Sequence, residues 1–221
     1  MRPDRRQRQM GHGFLNILRA DGPVVCKRQF RRVLAAGLSG VINPPIVAAA
    51  VFALMICRTD EPVARLGVLL GICLVFGTLL PTMYVGFLLV RRDIDSFFIP
   101  QRAARLRPLL VGSGSCLVGL VLLRCVSAPP EVCGLMLCYV VHGVLVGALT
   151  FQWKVSLHAV GAWGPLAGLV WLFGPSALFL VPVPLAVSWA RVELGAHTPA
   201  QVVLGGGMAF FSAWLLFEWG G

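Results

Sequence analysis

The stretch from Leu66 to Val90 reads LGVLLGICLVFGTLLPTMYVGFLLV and contains no charged residue. An α-helix rises about 1.5 Å per residue, so this stretch is long enough to cross the roughly 30 Å hydrocarbon core of a bilayer. We therefore predict a transmembrane helix at 66–90.

The whole chain has the same apolar character. Of its 221 residues, 57% are hydrophobic and 13% are charged, and the mean hydropathy is +0.82. Soluble domains contain roughly 25% charged residues. A single soluble core could not bury this much apolar surface, whereas a bilayer accepts it on the outside of the protein. The composition excludes soluble enzymes and nucleic-acid-binding domains, and it makes membrane lipids the expected partners.

Seven apolar runs approach the length of a membrane span, and they lie at 33–57, 66–90, 109–126, 132–151, 157–174, 176–190 and 200–219. The expected fold is an all-α, polytopic integral membrane helix bundle of about six to seven transmembrane helices, covering 33–221. The sixth run is short and contains Pro182 and Pro184, so we expect it to be kinked or partly re-entrant. Asn43-Pro44-Pro45 is a candidate break in the first run.

Basic residues concentrate on one side of the predicted bundle. Nine of the 19 lysines and arginines lie in an N-terminal arm, residues 1–32, which we expect to be cytoplasmic or interfacial. The predicted helices place sixteen basic residues on the N-terminal side, and only Arg58, Arg65 and Arg124 on the other side. The positive-inside bias then makes the N-terminal side cytoplasmic. The net charge of +10 therefore needs no nucleic-acid partner.

The seven cysteines are odd in number, and no two form a CxxC pair. Most of them lie within or beside apolar runs, where cysteine serves as a small packing residue. We predict no disulfide framework, no metal site and no cofactor.

Polar residues that could do chemistry cluster in three places, at Arg91–Pro108, Lys154–His158 and Ala190–Gln201. All three clusters fall on the N-terminal side of the predicted bundle, and each supplies cations or histidines. Such a convergence predicts an anion-binding pocket at one end of the helices.

The spacing within these clusters resembles the type-2 phosphatidate phosphatase family, also called the lipid phosphatase and vanadium haloperoxidase superfamily. The family's third motif, Ser-Arg-x5-His-x3-Asp, is matched in spacing by Arg191, His197 and Gln201. Its second motif, Pro-Ser-Gly-His, is matched in part by Ser156 and His158. The first, Lys-x6-Arg-Pro, has an arginine-rich counterpart made of Arg102, Arg105 and Arg107-Pro108. The resemblance covers about 90–210, and His-Thr-x-x-Gln resembles a divergent bacterial branch with Gln in place of the Asp.

The resemblance implies a function for each of these positions. His197 would attack phosphorus and form a phosphohistidine, and His158 would protonate the leaving oxygen and then activate water. Gln201 stands where an acid orients the nucleophile. The residues implied to hold the phosphoryl oxygens are Arg102, Arg105, Lys154, Ser156 and Arg191. The implied substrate is a lipid phosphate or an isoprenoid diphosphate, the implied location is the bacterial inner membrane with a cytoplasmic site, and no metal is required.

Simpler structural interpretations exist for the same residues. Thr198-Pro199-Ala200-Gln201 is also a capping box at a helix start, and Ser156 is also a candidate N-cap. Lys154 and Arg191 are also candidate interfacial anchors.

Three further polar residues admit two interpretations each. His142, within an apolar run, is either a functional group or a hydrogen-bonded packing residue. Asp93 and Asp95 are similar to the acidic pairs that bind magnesium diphosphates, although beside Arg91 and Arg92 they also fit a charge-balanced loop.

Two other functions therefore stay open. The first is a non-catalytic accessory or structural subunit of a larger membrane complex, favoured by the Gln in place of an acid. The second is a transporter or flippase that binds lipid phosphates with the same cations.

Overall fold

The computed structural model describes residues 23–94, 96 and 103–219. The fold is all-α. Its α-helices are α1 Pro23–Val41, α2 Pro44–Ile56, α3 Val63–Leu74, α4 Leu80–Val90, α5 Leu106–Cys125, α6 Pro130–Thr150, α7 Leu157–Phe173, α8 Pro182–Glu193 and α9 Pro199–Trp219. A π-helical turn, Val75–Leu79, joins α3 to α4, and 3₁₀ segments occupy Ala103–Arg105 and Gly174–Leu180. Arg102, Asp95 and most of the basic arm lie outside the described residues.

The protein is an integral membrane protein with five to six candidate spans among the described residues. Five are continuous: Val63–Val90, Leu106–Cys125, Pro130–Thr150, Leu157–Leu180 and Pro199–Trp219. The sixth is the bent pair Lys27–Val41 and Pro44–Ile56. In the most apolar window of Val63–Val90 only 17% of the residues are buried inside the protein. A surface this apolar and this exposed is compatible with lipid rather than with water.

The predicted break at Asn43-Pro44-Pro45 is confirmed, with a bend of 48° between the two helices. Asn43 caps α2, because its Oδ1 accepts a hydrogen bond from the backbone N–H of Ile46 at 3.0 Å. The first helix nevertheless begins at Pro23 rather than at 33. Its first turns carry Lys27, Arg28, Arg31 and Arg32, so a search for apolar runs starts the helix too late.

The prediction of one helix over 176–190 is wrong in its boundaries, because a 3₁₀ segment occupies the first part of this run and α8 extends past its end. Gly174, whose φ of +69° favours glycine, ends α7, and a 3₁₀ segment follows it. The helix α8 then begins at Pro182 and has 12 residues. It therefore rises about 18 Å, which is shorter than the bilayer core.

The largest cluster of buried apolar side chains among the described residues lies in the half of the bundle away from the predicted site. The fully buried side chains there include Phe52, Met55, Leu69, Leu123 and Met136. Arg58 lies over the ring of Phe173 at this end, 5.3 Å from its centroid. Arg65 donates to the carbonyls of Val126 and Ser127 at 2.8 and 2.7 Å. The arginines of the less basic side therefore share one end of the bundle.

Two glycines bring α9 close to the chain segment before α7. A Cβ at Gly205 would lie 2.9 Å from Cγ1 of Val155 and 3.2 Å from the carbonyl of Ser156. A Cβ at Gly206 would lie 2.5 Å from Trp163 in α7. The absence of side chains at these two positions lets the start of α9, which follows His197, contact the segment that carries Lys154 and Ser156.

Candidate functional site

His197 lies in the short connection between α8 and α9 and is only 8% exposed. Its Nδ1 is 3.2 Å from Oε1 of Gln201, in the first turn of α9. The same Oε1 accepts a hydrogen bond from the backbone N–H of Thr198, also at 3.2 Å. Thr198 completes the capping box, because its Oγ1 accepts from the N–H of Gln201 at 3.3 Å.

This capping box fixes the tautomer of His197. A backbone N–H can only donate, so the Gln201 atom that faces Thr198 must be the carbonyl oxygen rather than the amide nitrogen. That oxygen can only accept, so Nδ1 of His197 carries the proton and donates it. The lone pair of the neutral ring is therefore on Nε2, which is the ring nitrogen available to act as a nucleophile.

The electrostatic environment keeps His197 neutral. Burial and, after it, the positive charges of Lys154, Arg105 and Arg191 together lower the pKa of His197 to about 4, whereas the bond to Gln201 acts in the opposite direction. At neutral pH the imidazole is therefore unprotonated and lies in a positive field. A neutral nucleophile and a positive field are both suited to an anionic phosphoryl group.

Arg191, in the last turn of α8, is 6% exposed and is held by α1. Its Nη1 donates to Oγ of Ser39 at 2.8 Å. The backbone of the same serine hydrogen-bonds to the imidazole of His158. Ser39 therefore positions two of the predicted site residues at once. Sequence reasoning missed it, and its only signal was a hydroxyl between apolar residues in Leu38-Ser39-Gly40.

Two further cations connect the chain segments around His197. Nη1 of Arg105 donates to the carbonyl of Val155 at 3.2 Å, and Nζ of Lys154 donates to the carbonyl of Ala196 at 2.9 Å. Burial, followed by the charge of Arg191, lowers the pKa of Arg105. Burial also lowers the pKa of Lys154, with smaller contributions from Arg105 and Arg191. The two hydrogen bonds join the first cluster to the second and the second to the third, so the three predicted clusters meet at one end of the bundle.

A cavity of about 330 Å³, called here the site cavity, opens between these residues. Arg105, His158, Arg191 and His197 line it at one end. From there it extends into the bundle past apolar residues that include Pro44, Pro81, Leu109 and Val160. The cavity thus combines a cationic end with an apolar interior, as a site for an amphiphilic anion would.

Three other predicted site residues are described by the structure but do not line the site cavity: Lys154, Ser156 and Gln201. Ser156 is fully buried and caps α7, because its Oγ accepts from the N–H of Ala159 at 3.4 Å. Lys154 bonds to the carbonyl of Ala196, the residue before His197. Gln201 bonds to Nδ1 of His197 itself. Asp93 is exposed, and it belongs to no group of three potential metal ligands in the described part of the chain.

His142 has the hydrogen bonds expected of a packing histidine. Its Nε2 lies 3.1 Å from the carbonyl of Ala209 and 3.0 Å from Oγ of Ser212, both on α9. Because the carbonyl only accepts, Nε2 carries the proton. The side chain is 4% exposed and also lines the inner part of the site cavity.

Comparisons with known proteins found no match: no family model, no curated protein and no solved structure corresponds to this chain.

Proposed function

We propose that this integral membrane protein is a phosphatase or phosphotransferase that acts on a lipid phosphate or diphosphate through a phosphohistidine on His197. The observation that carries the proposal is the bond between His197 and Gln201, which leaves Nε2 unprotonated inside a cavity lined by Arg105 and Arg191. The resemblance of the three motifs supports the same assignment.

The cationic end of the site cavity would hold the phosphoryl group. Arginine binds phosphoryl oxygens through two parallel N–H donors, and two arginines line this end. Lys154 would add charge without touching the ligand, since it bonds to the carbonyl of Ala196 beside the nucleophile. Preformed positive charge of this kind stabilises the charge that develops on phosphoryl oxygens in the transition state.

Two half-reactions follow from these positions. Nε2 of His197 forms a bond to phosphorus while the bond from phosphorus to the lipid oxygen breaks and its electron pair leaves with that oxygen. His158, protonated at the start of the cycle, gives its proton to the departing oxygen and becomes neutral. His158 then takes a proton from water, whose oxygen attacks the phosphohistidine and returns the electron pair of the P–N bond to His197. A second alcohol in place of water would make the reaction a phosphotransfer.

Gln201 would make this reaction slower than it would be with an acid. The amide oxygen orients the imidazole but has no charge to stabilise the cationic ring that forms during attack. In the serine-protease triad, replacing the corresponding Asp by Asn costs about 10⁴-fold in rate. We therefore expect a low turnover number, limited by formation of the phosphohistidine.

A non-catalytic subunit is the second candidate, and it is favoured by the bonds that Gln201, Ser156 and Lys154 make. Each of the three holds local structure: Gln201 and Ser156 cap helices, and Lys154 joins two loops. In that case the cavity would bind an anionic lipid without hydrolysing it.

Phosphate release by the detergent-solubilised protein separates these candidates. The panel contains phosphatidate, a prenyl phosphate and a prenyl diphosphate, with a metal chelator present throughout, and His197→Ala is assayed beside the wild type. Turnover that is lost in a folded His197→Ala supports the proposal. Absence of turnover on every substrate favours the non-catalytic subunit, and turnover that survives in His197→Ala contradicts the phosphohistidine.

A further inference from the structure

The first turns of α1 carry an exposed patch of positive charge, called here the α1 basic surface. It consists of Lys27, Arg28, Arg31 and Arg32, whose side chains are all exposed. Lys27 and Arg31 are four residues apart, as are Arg28 and Arg32, so like charges face each other along the helix. In the described part of the chain, Arg31 alone of the four has an acidic partner, since its Nη2 lies 2.7 Å from Oε2 of Glu193. The surface therefore has positive charge left over for an anionic partner outside the described chain.

The rest of α1 has few contacts with the bundle. Over residues 27–41 only the side chains of Ala35 and Ser39 are buried. Large apolar side chains beside the basic surface are exposed instead, by 67, 68 and 45% for Phe30, Val33 and Leu34. A helix of this composition lies in the membrane interface, with its apolar side chains among the acyl chains and its cations at the headgroups. The position of α1 therefore depends on the membrane as well as on the protein.

The few contacts that α1 makes reach the candidate site. Oγ of Ser39 accepts the hydrogen bond from Arg191, and Arg31 pairs with Glu193, two residues further along α8. Arg31 also lies over the ring of Trp189, 5.9 Å from its centroid. These contacts are all made to the end of α8 that places Arg191 in the site cavity. A change in the position of α1 against α8 is therefore transmitted to Arg191.

We propose that the α1 basic surface binds the headgroups of anionic phospholipids in the surrounding bilayer, and that this binding keeps α1 against α8 and Arg191 oriented in the site. The inference rests on the proposed function and adds to it a regulatory lipid, distinct from the substrate. Anionic headgroups attract clustered basic residues at a membrane surface and relieve the repulsion between them. The pair between Arg31 and Glu193 holds α1 only weakly by itself, because the arginine is 58% exposed and exposed ion pairs contribute little.

Binding of a lipid-like anion in two membranes tests the proposal without requiring turnover. The full-length protein is reconstituted in nanodiscs of phosphatidylcholine, with or without phosphatidylglycerol, and the dissociation constant of dodecylphosphonate is measured in each. This probe has a P–C bond and is not hydrolysed. We expect it to bind about fivefold more tightly when phosphatidylglycerol is present, the effect of roughly one hydrogen bond gained through Arg191. Simple repulsion between an anionic bilayer and an anionic probe has the opposite sign.

Two pairs of arginines provide matched variants. Arg28→Gln/Arg32→Gln removes half of the α1 basic surface and keeps the ion pair to α8, so its preference for the mixed membrane should fall below about twofold. Arg91→Gln/Arg92→Gln removes two exposed arginines that follow α4 and should keep the full preference. Arg191→Gln should bind the probe weakly and equally in both membranes, because α1 acts through that residue.

Equal or weaker binding by the wild type in the mixed membrane overturns the inference. So does an equal loss of preference in the two double variants, or a preference that persists in Arg191→Gln. Failure of the proposed function has a different signature: the lipid preference would remain, but no substrate would release phosphate. Absence of probe binding in both membranes overturns both proposals.

Discussion

Oε1 of Gln201 lies 3.2 Å from Nδ1 of His197 and 3.2 Å from the backbone nitrogen of Thr198. One oxygen therefore caps the last helix and orients the imidazole. The two interpretations of Gln201 drawn from the sequence, helix cap and partner of the nucleophile, are compatible in this geometry.

Gln201→Glu should increase the rate. Glutamate has the same length, so it keeps the capping box and the bond to Nδ1, and it adds a charge that stabilises the imidazolium. We expect kcat to rise about tenfold or more and the pKa of His197 to rise above about 4. Gln201→Met removes the oxygen and should lower kcat while costing about 1 kcal/mol of stability through the lost cap. Steady-state kinetics and thermal unfolding of both variants check this, and a slower Gln201→Glu would contradict it.

The tautomer and pKa of His197 can be measured directly by ¹⁵N NMR of histidine-labelled protein, with His197→Ala for assignment. At neutral pH the spectrum should show a neutral ring protonated on Nδ1. The pKa is lowered, so the ring should take up a proton only as the pH falls toward about 4. Arg105→Gln should move that midpoint upward, because it removes a positive charge. A midpoint near the ordinary value of about 6.5 would contradict both the burial of the ring and the positive field around it.

Arg105 and Arg107 form a matched pair, two residues apart. Arg105 is 5% exposed and lines the site cavity, whereas Arg107 is exposed. Arg105→Gln should reduce kcat/KM about 100-fold, the effect of removing a positioned charge from a phosphoryl site. Arg107→Gln should leave kcat/KM within about twofold. Similar losses in the two variants would indicate a general effect of positive charge rather than a specific contact.

Ser39→Ala removes the hydroxyl that holds Arg191 but keeps the backbone that contacts His158. Arg191 then loses one of the contacts that orient it, so we expect KM to rise about tenfold with a smaller change in kcat. Ser39→Thr retains a hydroxyl and should restore much of the affinity. Equal KM values in Ser39→Ala and the wild type would show that the hydroxyl of Ser39 does not contribute to substrate binding.

Substitutions at Gly205 and Gly207 test the packing of α9 against the segment before α7. A Cβ at Gly205 would press on Val155 and Ser156, whereas a Cβ at Gly207 would meet nothing within 4 Å. Gly205→Ala should therefore cost about 1–3 kcal/mol and reduce activity, as overpacking does. Gly207→Ala should change neither. Thermal unfolding and the phosphate-release assay on both variants measure the difference.

The sequence predicts the spans well where charge is absent. The run at 66–90 corresponds to the observed span Val63–Val90, because a long apolar stretch has few alternatives to a membrane helix. It predicts α1 and 176–190 poorly, since the first turns of α1 carry four basic residues and the later run is divided between a 3₁₀ segment and α8. The length of an apolar run indicates neither a helix that begins with charged turns nor a 3₁₀ segment within the run.

Part of the candidate site was also accessible to sequence analysis. His197 and Gln201 are four residues apart, so the contact between them is a local one that spacing predicts. The contact between Ser39 and Arg191 joins residues 152 positions apart, and only the folded chain reveals it. The same is true of the cavity that joins His197 to Ser113 and Tyr139.

The most direct test of the account is to trap the phosphohistidine. His158→Ala is mixed with a prenyl diphosphate labelled at its terminal phosphorus and then quenched in alkali, where phosphohistidine survives. The leaving group of a diphosphate needs no proton, so this variant should form the intermediate but hydrolyse it slowly. The account predicts a label on the peptide containing His197, absent in His158→Ala/His197→Ala. No label at His197 from an enzyme that nevertheless releases phosphate would contradict the account.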